Sequence, residues 1–304
     1  MIIIRIAGGL GNQMQQYALY RKLLKAGADR NVKLDTSWFL QENQEGVLAK
    51  RELELRLFNG LPISECTKEE RDYFLNRNVF QKVMYRLFPE KNNIFTESKM
   101  YHPEVFDLKD KYIEGYFACQ KYYDDISDEL QELFVFPRHH DEALHLKNVE
   151  LMNEMEERHS VSVHIRRGDY LDPENAALFG NISTDEYYES AMNYFIAKYP
   201  DVHFYIFTND TEYALERYKD AGRYTVVSHN TGRDSLLDIE LMSHCMGNIC
   251  ANSTFSFWGA RLNRRKDKEL VRTFTMRNNQ PCDPELMHDY WKGWILIDKD
   301  GKVR

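Results

Sequence analysis

No apolar run in this chain of 304 residues approaches the ~20 residues that a membrane-spanning helix requires. The opening segment MIIIRIAGG also lacks the basic region, the apolar region and the cleavage site of a signal peptide, and it is predicted to form a strand. These absences favour a cytoplasmic protein without a membrane span, and they leave peripheral association with a membrane open.

Cysteine is scarce, and the few cysteines show no pairing pattern. The five cysteines form no CxxC pair and no zinc-ligand spacing, which favours reduced thiols in a cytoplasmic protein (Cys66, Cys119, Cys245, Cys250 and Cys282). A broad basic field is absent too, because the formal net charge is −8, and this argues against nucleic acid as a partner. Hydrophobic residues at 43% and charged residues at 29% are typical of a globular protein with a core.

Two common nucleotide-binding motifs are incomplete or missing. The glycine-rich segment GGLGNQM at residues 8–14 has Met14 where the dinucleotide fingerprint requires a third glycine. No GK[ST] sequence occurs anywhere in the chain, so P-loop chemistry is excluded. A Rossmann oxidoreductase therefore remains only as a weakened alternative.

Strand and helix patterns alternate along the chain, most clearly in its second half. Predicted elements there are strands 161–166, 202–208, 224–227 and 248–251 and helices 184–198, 211–221, 235–244 and 254–262. The first half begins with a strand at 2–6, a glycine turn at 8–13 and a helix at 14–26. This rhythm predicts an α/β fold with parallel sheets, in two domains at 1–150 and 151–304.

The segment VSVHIRRGDY at residues 161–170 concentrates charge at the end of a predicted buried strand. Strand alternation puts Val161, Val163 and Ile165 on one face, and it points His164 and Arg166 together from the other face. In open α/β sheets the ligand crevice lies beyond the carboxyl ends of the strands. An arginine there suits a diphosphate because its planar fork spans two phosphate oxygens, and a structural Arg–Asp ion pair is the alternative.

Two further strand ends carry polar residues. Asn209 and Asp210 follow the second strand of this half, and the segment NSTFS at residues 252–256 runs from the fourth strand into a helix. A carboxylate at such a position can accept from the two adjacent donors of guanine, and a helix amino terminus with hydroxyls can bind an anion. Ordinary helix caps are the alternatives at both places. Adjacent His139 and His140 could ligate a metal, although histidines in a polar turn are usually solvated.

Taken together, several blocks of the chain resemble the α-1,2-fucosyltransferases of glycosyltransferase family 11. The blocks are GGLGNQMQQYA (8–18), EGYFACQKYY (114–123), HIRRGDY (164–170), FTND (207–210) and LMSHCMGNICANSTFSFWGARLN (241–263), and they occur in the family's order. Gln15 stands where an aromatic residue is usual in the family, and Phe257 stands where tryptophan is common. Similar HxRR and glycine-rich blocks occur in α-1,6- and protein O-fucosyltransferases, which leaves those linkages as alternatives.

The resemblance implies a GT-B-like fold, with two Rossmann-like domains facing a cleft and without the membrane anchor of animal members. It implies GDP-β-L-fucose as the donor in the C-terminal domain and a galactose-containing glycan as the acceptor, mainly against the N-terminal domain. The reaction would be inverting transfer of fucose to a galactoside 2-hydroxyl in an oligosaccharide or surface polysaccharide. A non-catalytic nucleotide-sugar or glycan-binding protein is the alternative from another class.

The expected chemistry needs a positive group at the β-phosphate, where charge develops as the bond to fucose breaks. No Asp-x-Asp pair lies at a predicted strand end, so we expect no metal and no cofactor, with Arg166 supplying the charge. Asp169 is the candidate base for the acceptor hydroxyl, or else it orients Arg166 and Arg167. The candidate donor-binding residues are Gly11, Asn12, Gln13, His164, Arg166, Asn209, Asp210, Asp238, Asn252, Ser253, Thr254, Phe255 and Ser256, and the candidate acceptor-binding residues are Tyr116, Gln120, Lys121 and Trp258.

Overall fold

The computed structural model divides the chain into two compact units, Met1–Val135 and Phe136–Arg304. It describes residues 1–27, 31–44, 50–78, 84, 87–88, 91–280 and 282–304, and the side chains of residues 169, 171 and 174 lie outside that description. The predicted division at residue 150 falls inside the helix Glu142–Glu157, which belongs to the second unit. This helix packs against the helix Leu237–His244 of the same unit, and that contact keeps it on the C-terminal side of the division.

The first unit contains a parallel sheet of four strands in the order β2-β1-β4-β3. Its strands and α-helices, in chain order, are β1 (Ile2–Arg5), α1 (Leu10–Lys25), β2 (Val32–Asp35), α2 (Lys68–Leu75), β3 (Ile94–Thr96), β4 (Lys111–Glu114) and α3 (Ser127–Leu133). The chain moves from β1 to β2 on one side, whereas β4 pairs with β1 on the other side. The direction of winding therefore reverses between β1 and β4, which is a topological switch point.

The second unit contains a parallel sheet of six strands in the order β10-β9-β8-β5-β6-β7. Its elements are α4 (Glu142–Glu157), β5 (Ser160–Ile165), α5 (Pro173–Phe179), α6 (Asp185–Lys198), β6 (His203–Thr208), α7 (Thr211–Arg217), β7 (Tyr224–Val227), α8 (Leu237–His244), β8 (Gly247–Cys250), α9 (Thr254–Leu262), β9 (Glu269–Thr273), α10 (Pro284–Tyr290) and β10 (Trp294–Ile297). Strands β6 and β7 continue from β5 on one side, and β8 pairs with its other side. The switch point of this sheet lies between β5 and β8.

Strand β5 follows the alternation read from the sequence. Val161, Val163 and Ile165 lie in the core of the second unit, where they share a cluster with Ala191 and Phe195 of α6. Burying apolar side chains of this kind contributes about 1.5–3 kcal/mol each, and this fixes the register of the strand. The residues that alternate with them are then directed to the opposite face, which settles the direction of the His164 side chain.

The chain thus has a GT-B-like fold of two Rossmann-like α/β units, as predicted. None of the helices in the described part of the chain is long and apolar enough to cross a bilayer. Helix α1 begins at Leu10 rather than at residue 14, because the second half of the glycine-rich segment is already helical. The strands β3, β4, β9 and β10 and the helices α5 and α10 were not predicted from the sequence. Strand β10 places the pair Asp298 and Asp300 at a strand end, so the expectation that no Asp-x-Asp pair lies there is wrong. Asp298 accepts from Arg304 and from the backbone N–H groups of residues 300 and 302, which gives it a structural role.

Candidate functional site

The segments that follow β5 and β8 meet at the switch point of the second sheet. The Tyr170 hydroxyl donates to the backbone oxygen of Asn252 at 3.1 Å. The rings of His164 and Phe255 lie 5.6 Å apart, so the two segments are also joined by a ring contact. The predicted grouping of the HIRRGDY and NSTFS segments is therefore present in the structure.

The two arginines after β5 have different surroundings. Arg167 pairs with Asp210 at 3.3 Å through Nε, and its guanidinium lies 4.0 Å from the centre of the Tyr213 ring. Arg166 is partly exposed, and its guanidinium lies 5.6 Å from the centre of the Tyr170 ring. The structural ion pair that was the alternative reading of this segment is thus found at Arg167. Arg166 is the arginine placed beside the β8 side of the switch point.

The loop between the two strand ends is held by Asn209. Its side-chain oxygen accepts the backbone N–H of Arg167 at 3.0 Å. Its amide also lies against Gly168, where an added Cβ would come within 2.3 Å of Asn209 Nδ2. Any larger residue at position 168 would push this loop away from the strand ends, so the glycine of the RRGDY sequence has a steric cause.

The amino terminus of α9 is the second component of the site. Ser253 is the N-cap residue, yet its side chain makes no capping hydrogen bond. Ser256 instead donates its hydroxyl to the Ser253 backbone oxygen at 3.1 Å. The first backbone N–H groups of a helix have no partner within it, and with the helix dipole they favour an anion. Capping by the Ser253 side chain, the alternative interpretation, does not occur in this structure. The Ser253 hydroxyl and the helix amino terminus keep the composition that the sequence predicted for an anion site.

His164 is buried at the base of this arrangement. Its exposed fraction is 4%, and its Nδ1 has no hydrogen-bond partner among the described residues. Loss of solvent, with a smaller contribution from the charge of Arg166, lowers the pKa of His164 to about 3. The imidazole is therefore neutral at physiological pH, and it can offer one donor and one acceptor without adding charge.

Asp238 lies in the first turn of α8, which connects the end of β7 with β8. The side chain of Asn230 donates to Asp238 Oδ1 at 2.8 Å, and Asn148 accepts from the same amide at 3.2 Å. Desolvation raises the pKa of Asp238 to about 7, although the hydrogen bond from Asn230 opposes it. Its Oδ2 has no hydrogen-bond partner among the residues that the structure describes. The carboxyl therefore keeps an oxygen for a ligand.

Asp210, the predicted guanine partner, is occupied in this structure. Its Oδ1 accepts the backbone N–H of Tyr213 at 3.2 Å and caps α7, and its Oδ2 accepts from Arg167. This is the capping role that the sequence left as an alternative. Asn209 is likewise engaged with the backbone of Arg167.

The side chains of Asn252 and Gln13 are also fully used within their own units. The Asn252 amide donates to two backbone oxygens at 3.1 and 3.2 Å, and its side-chain oxygen accepts from Ser183. The Gln13 amide donates to the backbone of Gly8 and Glu52, and its oxygen accepts from the backbone of residues 54 and 55. Both residues organise backbone near a strand end and have no side-chain group left for a donor.

The remaining donor candidates divide between exposed and buried positions. Gly11 and Asn12 lie in the first turn of α1 in the first unit, with Gly11 buried and Asn12 partly buried. Thr254 and Phe255 are partly exposed in the first turn of α9. These two are therefore brought to the same end of the second sheet as Arg166, whereas Gly11 and Asn12 belong to the first unit.

The acceptor candidates do not form one group. Trp258 is only 1% exposed and packs inside the second unit, with the Arg261 guanidinium 5.4 Å from its ring, so core packing describes it. Gln120 is buried, and Tyr116 is partly buried with its backbone N–H on Glu97 at 2.7 Å. Lys121 lines a cavity of about 540 Å³ in the first unit and lies over the Tyr101 ring. Burial thus argues against Trp258 and Gln120 as surface contacts for a sugar.

The candidate base and the candidate metal group lie in different parts of the second unit. The side chain of Asp169 lies outside the described part of the structure, so its role as base stays a prediction. His139, His140 and Asp234 form a group that could hold a metal, with buried His139 Nε2 4.0 Å from Asp234. The backbone N–H of Asp141 donates to His139 Nδ1 at 2.9 Å, which places the proton of the neutral ring on Nε2. In that tautomer Nε2 carries a proton and is not a metal ligand, and at 4.0 Å from Asp234 it makes no hydrogen bond to any described residue.

The fold and this site are those expected of a glycosyltransferase, and comparison with known proteins gives the family of the chain. The model of Glycosyl transferase family 11 matches residues 1–298, and the chain belongs to that family. It is 32% identical to the O-antigen biosynthesis glycosyltransferase WbnK of Escherichia coli, over 94% of this chain and 98% of that protein. It is 30% identical to an alpha-1,2-colitosyltransferase of Escherichia coli, over 86% of this chain and 87% of that protein. A shorter match, 31% identical over 40% of this chain and 33% of the relative, is to galactoside alpha-(1,2)-fucosyltransferase 1 of Leontopithecus chrysomelas.

Proposed function

We propose that the protein transfers L-fucose from GDP-β-L-fucose to the 2-hydroxyl of a β-galactoside, with inversion at the transferred carbon. The observation that carries the proposal is the hydrogen bond from Tyr170 to Asn252, which joins the segment of Arg166 to the segment that leads into α9 at one switch point. A diphosphate needs such a set of donors, and the family supplies the reaction class. Relatives named for α-1,2 transfer support the linkage.

Bond breakage in this reaction places negative charge on the β-phosphate while the sugar becomes positively charged at its reacting carbon. Arg166 would meet that charge with two parallel N–H groups, and the Ser253 hydroxyl and the first N–H groups of α9 would hold the other phosphate oxygens. These donors are fixed by β5 and by α9 before the reaction begins. Their fixed orientation lowers the barrier because little reorganisation is needed as the charge grows.

Guanine recognition is better assigned to Asp238 than to Asp210. Asp210 already caps α7 and pairs with Arg167, whereas Asp238 keeps one carboxylate oxygen for a ligand. An ionised Asp238 would accept from N1–H of guanine through Oδ2 and from its exocyclic amine through the second lone pair of Oδ1, and neutral His164 would add a donor or an acceptor. Uracil does not present two adjacent donors of this kind. A GDP-linked donor is therefore proposed over a UDP-linked one.

The acceptor hydroxyl must lose its proton on the face of the sugar opposite GDP. Asp169 follows Arg166 and Arg167 in the 3-10 helix Gly168–Leu171, close in sequence to the phosphate-binding arginine. Arg167 is already oriented by Asp210, so orientation of that arginine does not require Asp169. We therefore keep Asp169 as the proposed base, acting directly or through a water.

A second donor sugar should be tested, because one of the relatives that match most of the chain is a colitosyltransferase. Transfer of colitose from its GDP-linked form is the second candidate function. The purified protein would be incubated with lactose and either GDP-fucose or GDP-colitose, and the products would be analysed by mass spectrometry and NMR linkage analysis. We expect fucose on the galactose 2-hydroxyl and a lower rate with GDP-colitose.

Binding of GDP and UDP measured by calorimetry completes the test. We expect GDP to bind more tightly than UDP. Equal binding of the two would contradict the assignment of Asp238, and a product linked at another hydroxyl would contradict the α-1,2 assignment. Binding of GDP-fucose without turnover on any galactoside acceptor would favour a non-catalytic binding protein.

A further inference from the structure

The first unit has its own switch point, between β1 and β4, and a cavity lies there. Arg5 ends β1 and Glu114 ends β4, and the two side chains meet at 3.3 Å. The cavity has a volume of about 500 Å³, within the range of about 300–1,000 Å³ that is typical of small-molecule sites. The side chains that matter most in its lining are Arg5, Asp35, Trp38, Gln41, Arg71 and Glu114.

The charged groups of this cavity balance one another. Asp35 is buried and is held by the Tyr112 hydroxyl at 2.6 Å and by the Ser37 backbone N–H at 2.9 Å. Arg71 approaches the same carboxylate, with Nη1 at 3.9 Å from Oδ1. The cavity therefore contains two pairs of opposite charge. Arg71 lies beside the buried Asp35, and Arg5 lies beside Glu114 at the strand ends.

The pair at the strand ends is accessible to a ligand. The side chains of Arg5 and Glu114 are 29% and 30% exposed. An ion pair of this exposure contributes only about 0–1 kcal/mol to stability, so exchanging part of it for ligand hydrogen bonds costs little.

Charge balance selects the chemistry of the ligand. A phosphate would be repelled by the two carboxylates, and an apolar ligand would leave four charged groups without water. A neutral ligand with neighbouring hydroxyls satisfies the cavity, because each hydroxyl donates to a carboxylate and accepts from a guanidinium. Such neighbouring hydroxyls are the defining groups of an unmodified hexose.

We propose that this cavity binds a neutral hexose of the acceptor glycan, with Glu114 and Arg5 as its principal hydrogen-bonding pair. The inference rests on the proposed function, because it assigns to the cavity the sugar that receives the transferred group. The cavity lies wholly within the first unit, and none of the four acceptor candidates predicted from the sequence lines it.

Glu114→Gln is the informative change because it keeps the shape of the side chain and removes its charge. With lactose as the acceptor probe, we expect the acceptor KM to rise about tenfold, the value of one lost charge-assisted hydrogen bond. The KM for GDP-fucose and the GDP affinity should stay unchanged, because the cavity is not the donor site. A structural defect would instead affect donor and acceptor parameters together.

Glu65→Gln is the matched control, since Glu65 pairs with Arg56 at 2.7 Å elsewhere in the same unit and lines no part of this cavity. If thermal unfolding shows that Glu114→Gln is destabilised, Gln41→Ala replaces it. Gln41 is exposed and lines the cavity, and losing its amide should raise the acceptor KM about fivefold. An active protein in which the cavity variants match the control would overturn the proposal.

The proposed function and the cavity can fail separately. If the wild-type protein transfers no sugar to lactose, lactose binding is followed by the NMR signal of the Trp38 indole, which lines the cavity and is assigned with Trp38→Phe. A shift of that signal in the wild type, lost in Glu114→Gln, would support the cavity while the proposed function fails. If lactose does not shift the Trp38 signal in the wild type, the proposal that the cavity binds a hexose is wrong as well.

Discussion

The substitution Arg166→Lys tests the central assignment of the phosphate site. Lysine keeps the positive charge but loses the planar fork that spans two phosphate oxygens. Arg166 follows β5 directly and lies partly exposed beside Tyr170. Replacing it with lysine therefore reduces the number of hydrogen-bond donors at the site without creating a cavity in the core. The expected change in the free energy of unfolding is therefore about 0.5 kcal/mol or less.

The rate should change far more than the stability. Removing one donor that stabilises charge in a transition state costs about 2.7–4 kcal/mol, which corresponds to about 10²–10³ in kcat. We expect Arg166→Lys to fall in this range when fucose transfer to lactose is followed by GDP release. The GDP affinity should fall less than kcat, because the charge at the bridging oxygen is greatest in the transition state.

Arg167→Lys is the matched control in the neighbouring residue. Its ion pair with Asp210 has side chains that are 36% and 29% exposed, so its loss is worth about 1 kcal/mol or less. The expected rate of this variant is within about fivefold of the wild type. A nearly unchanged Arg166→Lys together with an inactive Arg167→Lys would refute the reasoning and exchange the roles of the two arginines.

Three further outcomes are expected. Asp169→Asn should nearly abolish transfer and leave GDP affinity unchanged if Asp169 is the base, and parallel loss of both in kinetic and calorimetric measurements would assign it to orienting the arginines. Because the pKa of Asp238 is raised to about 7, its accepting carboxylate is lost as pH falls; the GDP dissociation constant should rise about tenfold from pH 8 to pH 6, and more weakly in Asp238→Asn. Activity should survive EDTA if Arg166 supplies the cationic group, as proposed, and a loss of activity that magnesium or manganese restores would contradict this.

The strand ends of the second unit were predictable because local pattern determines them. Alternating apolar residues define β5, and the helix α9 has the bounds predicted from its sequence, residues 254–262. Arg166 and the NSTFS segment therefore fall at the carboxyl ends of parallel strands without knowledge of distant contacts. The prediction of the phosphate site depended only on these short-range features.

Roles that depend on distant contacts were not predictable in the same way. From the sequence, Asp210 fits a helix cap and a guanine partner equally well. Only the structure shows that Arg167, 43 residues earlier, donates to its side chain. Gln13 resembles an exposed loop residue until its amide is found bound to the backbone near residues 52–55. Strand β9 was missed because Arg272 interrupts its apolar pattern, although that arginine is fully buried with its guanidinium 3.6 Å from the centre of the Trp291 ring.

One topological rule locates both sites, and the local charges decide what each site binds. At the β5–β8 switch point, Arg166 and the amino terminus of α9 are the groups that suit a diphosphate, although the net charge of the chain is −8. At the β1–β4 switch point, carboxylates match the guanidinium groups, so a diphosphate gains nothing there and a neutral sugar can use donors and acceptors alike. In the proposed function, the same fold therefore separates an anionic donor from a neutral acceptor through the different side-chain charges at its two switch points.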